Sequence, residues 1–144
     1  MKVSLILKNK GSSDVATIAR NRSIADAIAM LATKKIGALV VSPGDGSVDG
    51  ILSERDIVAA LGANSVATLD QNVEDLMTSS VESCVADDTA FDVLGRMTSG
   101  RFRHMPVLNS AGDMVGILSI GDVVKARLEE IESENAAMAD MLSG

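Results

Sequence analysis

Two serine–aspartate pairs hold the residues in this chain most able to do chemistry. GILSERDIV at 50–58 and GILSIGDVV at 116–124 share a glycine, an Ile-Leu-Ser run and an aspartate three positions after the serine. An apolar run precedes each serine and helical spacing follows it, which places Ser53 and Ser119 where a strand gives way to a helix. A helix start offers unpaired N–H groups and a partial positive charge, so a phosphate can sit there with the serine hydroxyl as a further donor. Asp56 and Asp122 are acceptor-only carboxylates, suited to both hydroxyls of a ribose. Each pair therefore fits a nucleoside phosphate. The same Ser-x-x-Asp spacing also fits a capping box, in which both side chains satisfy the helix's own N–H groups. Spacing alone leaves both uses open, and the two can alternate as a ligand comes and goes.

Basic residues gather near only one of the pairs. RFRHMPV at 101–107 brings Arg101, Arg103 and His104, followed by Met105 and Pro106, beside the second copy, and Lys125 and Arg127 lie close after it. In an acidic protein such a cluster attracts phosphate locally. The counterparts of 103 and 104 in the first copy are Gly37 and Ala38, which offer backbone but no charge. Arg55, aligned with Gly121, is the compensation there, either reaching across to a phosphate or partly filling its own cleft. The second site is expected to be the better phosphate site. Lys34, Lys35 and Arg127 read more simply as solvated surface charges.

The elements that must position these residues repeat as well. Every matching position is 66 residues apart, as 50 is from 116, and the match extends upstream without a gap. Ser23 aligns with Thr89 and Asp26 with Asp92, giving SIAD and TAFD, both of the form that caps a helix start. Ile24, Ala27, Ile28 and Leu31 then fall on one helical face, as do Ala90, Val93, Leu94 and Met97. Short apolar runs at 38–41 and 105–108 lead into PGDG and NSAG turns, and 48–52 and 114–118 return as strands. With leading strands at 17–19 and 83–85, the unit is β-α-β-β-α, an α/β (α+β) fold. One such unit leaves a face of its small sheet uncovered, so two units should pack to close a common core. The expected division is 11–62, 76–128 and an acidic C-terminal helix at 129–144, with 62–72 as connector and a short helix at 73–77.

Composition narrows the function. The 144 residues carry a formal charge of -7 and only 1% aromatics, which argues against a phosphate backbone or single-stranded bases as partner. No apolar run approaches a membrane span, the 3–7 stretch is too short for a signal-peptide core, and the one cysteine cannot form an internal disulfide. A cytoplasmic protein is expected, with neither a membrane nor a nucleic-acid partner.

The two nonapeptides, the DLMT at 75–78 and RFRHMPV at 101–107 together strongly resemble the tandem CBS-domain family, or Bateman module, over roughly residues 11–128. The resemblance implies two repeats packed with pseudo-twofold symmetry. It also implies clefts that hold adenosine-containing ligands such as AMP, ADP, ATP, NADH or S-adenosylmethionine, with no cofactor required, and pairing into flat homodimers. It implicates Thr17 and Ser83 on the leading strands, with Ile18, Ala19, Cys84 and Val85 flanking the adenine, and it favours ligand contact over capping for Ser53, Asp56, Ser119, Gly121 and Asp122.

Catalysis finds little support, because His104 and Cys84 are the only residues of their kinds and neither a phosphate-binding loop nor a dinucleotide glycine pattern is present. The expected function is a non-catalytic nucleotide-sensing module acting on a separate client protein; the alternative is an adaptor homodimer with vestigial clefts. Leu128, Ile131, Asn135, Met138 and Leu142 form a short a/d-type seam that favours packing on a second subunit.

Overall fold

Both predicted caps start helices in a computed structural model of the chain, which describes residues 1–11 and 15–143. Residues 12–14, near the start of the first expected repeat, and residue 144 lie outside that set. The Asp26 N–H donates to Ser23 Oγ at 3.1 Å to open α2 (Ile24–Lys34), and the Asp92 N–H donates to Thr89 Oγ1 at 3.2 Å to open α5 (Ala90–Gly100). α2 buries Ile24, Ala27 and Leu31; α5 buries Ala90, Val93 and Met97. Both helices end at equivalent residues in the left-handed region, Lys35 and Arg101.

The chain divides into two compact units. The first-repeat unit spans Asp14–Glu82 with Ser110–Val115, and the second-repeat unit spans Met1–Ser13, Ser83–Asn109 and Gly116–Gly144. In the first, β1 (Thr17–Ile18), β2 (Ala38–Val41) and β3 (Gly50–Ser53) form a three-stranded sheet in that order, β1 parallel and β3 antiparallel to β2. α3 (Glu54–Asn64) follows directly. Ile18, Leu39, Val41, Leu52 and Ile57 pack with the α2 residues and Val73 into one core.

β4 (His104–Leu108) pairs with β5 (Met114–Ser119), whose Gly116–Ser119 portion belongs to the second-repeat unit, and α6 (Ile120–Ser143) follows. The leading strand of this unit is reduced to a single parallel bridge between Cys84 and Val107. Pro106 is the physical reason. In the first unit the Val40 N–H donates to Ala16 O at 3.0 Å, and Pro106, at the position matching Val40, has no N–H to give. The flanking bonds survive, Cys84 N–H to Pro106 O at 3.0 Å and Leu108 N–H to Cys84 O at 2.9 Å.

Two further helices close the units, and one was not expected from the sequence. α4 (Val73–Leu76) starts beside α2: the Val73 N–H donates to Arg22 O at 2.8 Å and the Ile24 N–H to Gln71 O at 2.9 Å. The N-terminal residues, read above only as too short for a signal core, form α1 (Val3–Lys10) and make the same pair of bonds in the second-repeat unit. There the Val3 N–H donates to Asp88 O at 2.8 Å and the Ala90 N–H to Met1 O at 2.8 Å. Val3 and Ile6 are buried against Cys84, Val93, Met105, Leu118 and Val123.

The structure gives detail to two other expected regions. The connector after residue 62 is ordered: α3 runs to Asn64, a 3-10 segment covers Ser65–Asp70, and buried Thr68 donates its hydroxyl to Ala60 O at 3.1 Å. No break separates the second repeat from an acidic tail, since α6 is one helix of 24 residues whose last portion, 131–143, is exposed throughout.

Candidate functional site

The serine–aspartate pairs sit at the strand-to-helix junctions that their spacing predicted. In the first unit the Asp56 N–H donates to Ser53 Oγ at 3.3 Å, while the Ser53 N–H and hydroxyl both donate to Asp56 Oδ2, at 2.9 and 3.0 Å. In the second, the Asp122 N–H donates to Ser119 Oγ at 3.1 Å and the Ser119 N–H to Asp122 Oδ2 at 2.9 Å. Both are closed capping boxes, so the capping use of the motif is present in each unit.

The same backbone link brings the preceding strand to each helix start. The Glu54 N–H donates to Gly37 O at 2.9 Å and the Ile120 N–H to Arg103 O at 2.8 Å, equivalent bonds in the two units. Gly37 and Ala38 therefore lie beside Ser53, and Ala38 is its register partner across the sheet. Arg103 is brought beside Ser119 by the equivalent bond, and His104 follows it at the start of β4. The Arg103 side chain is exposed, and among the described residues Arg55, Arg101 and Arg103 have no acidic partner. Arg101 lies on the turn after α5, while Arg55 and Gly121 occupy the first turns of α3 and α6.

Some residues implicated by resemblance face the wrong way for side-chain contact. Ile18 and Cys84 are 4% and 2% exposed and belong to the cores, so neither side chain can flank a ligand. Their neighbours Thr17 and Ala19, and Ser83 and Val85, are at least partly exposed, as strand alternation requires. Burial pushes the Cys84 thiol up to about 11, reinforced by the Asp88 carboxylate and opposed by Arg96, which leaves it unreactive. Met105 is fully buried and Pro106 is buried with it; what they offer a ligand is backbone.

One residue at the second motif was not found by sequence reasoning. Lys10, the last residue of α1, donates from Nζ to Asp122 Oδ2 at 2.9 Å and to Ile117 O at 3.0 Å. Burial pushes the Asp122 pKa up, but the Ser119 N–H and the Lys10 ammonium outweigh it and hold the carboxyl below its ordinary value of 3.8. The two motifs are thus unequal: among the described residues no cation reaches Asp56. α1 runs for eight residues and ends at Lys10, whereas its counterpart α4 runs for four, and the position equivalent to Lys10 is Ser80.

Among the described residues no group of three or more His, Cys, Asp or Glu side chains is placed to hold a metal ion. No described helix is long and apolar enough to cross a membrane.

Comparison with known proteins adds an independent line. The CBS-domain family profile matches twice, at residues 11–63 and 73–129. A CBS-domain-containing protein from Agrobacterium tumefaciens is similar in structure at 44% identity and a TM-score of 0.83, over 88% of this chain and 99% of that one. A CBS domain pair solved with 5′-methylthioadenosine and S-adenosylmethionine matches at 25% identity and a TM-score of 0.76, over 90% and 98% of the two chains. A CBS domain protein from Pyrobaculum aerophilum complexed with AMP shares the fold at 24% identity and a TM-score of 0.74, over 85% and 89%.

Proposed function

The chain belongs to the CBS-domain family as a tandem pair, and on that basis we propose that it is a non-catalytic, cytoplasmic regulatory module that binds an adenosine nucleotide at its Ser-x-x-Asp motifs. The observation that carries this reading is the repeated strand-to-helix junction. At each one a serine hydroxyl and a helix start stand beside an acceptor-only carboxylate, with Arg103 next to the second and Arg55 on the first turn of the first. Phosphate is served by donors and cations beside each motif, the hydroxyl, the helix N-terminus and the arginine among them; ribose is served by the aspartate. AMP, ADP, ATP and NADH all present these two groups. The AMP bound to one relative and the adenosine-containing pair bound to another support an adenosine ligand.

Binding acts on function through population shift. A ligand alters the state of the module only by its differential affinity for two arrangements, and the output passes to a client protein or through self-association as a homodimer. The exposed apolar stripe along α6, with Leu128, Ile131, Met138 and Leu142, supports a partner surface there.

The adaptor reading, in which the clefts are vestigial, draws on one observation: both carboxylates already serve their own helix starts, and Asp122 serves Lys10 as well. Calorimetric titration of ligand-stripped protein with AMP, ADP, ATP, NADH and S-adenosylmethionine separates the readings. A saturable isotherm with an adenosine nucleotide is expected; no heat with any of the five at millimolar concentration sinks the sensor reading. Formation of ADP on incubation with ATP alone would overturn the assignment as non-catalytic.

A further inference from the structure

We propose that Lys10 makes the second motif a site for anionic adenosine ligands, with the pocket between α1 and α6 taking the phosphate and a cationic ligand such as a sulfonium disfavoured. The inference rests on the reading of Asp122 as the ribose acceptor and adds the ligand's charge class.

Lys10 lies outside both segments that match the family and ends the N-terminal helix α1. Its ammonium is held by two acceptors, Asp122 Oδ2 and Ile117 O, and only the first carries charge. Asp122 Oδ2 also receives the Ser119 N–H. A ribose diol that takes this carboxylate competes directly with Lys10. The displaced ammonium is then left with a neutral carbonyl and needs another anion within side-chain reach.

A 5′-phosphate supplies it. A ribose on Asp122 carries its 5′ substituent within several ångströms of Lys10, near enough for an opposite charge to matter in a partly buried site. The room is present: a pocket of about 70 Å³ between α1 and α6 is lined by Asn9, Lys10, Asp122, Lys125 and Glu129. That is too small for a nucleotide and large enough for a phosphoryl group or a few waters. Lys125 adds a second ammonium and Asn9 an amide donor. Glu129 opposes an anion from α6. The Met1 ammonium is committed to Glu130 at 2.7 Å, with Arg127 on the same carboxylate at 2.8 Å. Of the side chains that line this pocket, Lys10 and Lys125 are the cations, and both repel a sulfonium.

The test compares AMP, adenosine and S-adenosylmethionine by calorimetry on the full chain, wild type, Lys10→Met and Lys10→Arg. Lys10→Met should lower the AMP to adenosine affinity ratio about tenfold and tighten S-adenosylmethionine by a similar factor, the scale of one charge at this range. Lys10→Arg should retain the wild-type ratio. Opposite signs for the two ligands separate a charge effect from general damage to α1, which would weaken all three. An unchanged ratio in Lys10→Met, with AMP still bound, overturns this inference and leaves the nucleotide reading standing. Failure of wild type to bind either AMP or adenosine overturns both.

Discussion

Asp56 and Asp122 hold the same place in their repeats and carry different loads. Both accept from their own serine, and only Asp122 also accepts from a lysine. Its folded pKa is depressed, so its contribution to stability is complete above the ordinary carboxylate value and is lost as pH falls through the lower folded value. Asp122→Asn keeps an oxygen for the Ser119 N–H and discards the charge. It should cost about 1 kcal/mol at pH 7, on the scale of a partly exposed ion pair, and nothing measurable once both forms are uncharged in strong acid. Urea denaturation of the pair at pH 7 and at successively lower pH checks this, and a difference that grows in acid would contradict it. The serines make a simpler case: Ser53→Ala and Ser119→Ala should each cost about 1 kcal/mol through the lost cap, measured by the same denaturation. These caps were legible from Ser-x-x-Asp because a cap is a local contact. The partner of Asp122 was not, because Lys10 is 112 positions away, and short-range spacing carries no information about such a pair.

The elements show which parts of the repeat are local and which are borrowed. α2, α5, the hairpins and the helix starts follow from apolar periodicity and caps, and the fold has them close to where the pattern put them, with β3 starting at Gly50 rather than at residue 48. α1 was missed because a short run such as VSLILK is ambiguous by itself; it is stabilised by burial of Val3 and Ile6 rather than by propensity. Each unit is completed by a helix from outside its own repeat pattern, α4 in one and α1 in the other. Ile6→Ala should therefore cost about 2–4 kcal/mol as a buried large-to-small change, with amide exchange rising in α5, β4 and β5. Equal loss of protection across α2, β2 and β3 would contradict the assignment of α1 to the second-repeat unit. The leading strand of that unit was drawn too long from the sequence. The tripeptide at 83–85 gave no sign that its partner strand would present Pro106 where an N–H is needed.

At the scale of the molecule, the 66-residue repeat carried the most information. It identified two copies of one unit, and the copies belong to the CBS-domain family. What it could not carry was the inequality between them, which resides in residues outside the repeat and in substitutions within it: Lys10, Pro106 and the exchange of Arg55 for Gly121. The proposal that this chain binds an adenosine nucleotide rests on the carboxylates, and of the two Asp122 has the nearby cations. The most direct measurement is calorimetric titration of AMP into ligand-stripped wild type, Asp56→Ala and Asp122→Ala. Wild type should bind, and Asp122→Ala should lose about 1.5–3 kcal/mol, the scale of hydrogen bonds to a charged acceptor, with a smaller loss for Asp56→Ala. Binding by Asp122→Ala and Asp56→Ala as tight as that of wild type would contradict the account.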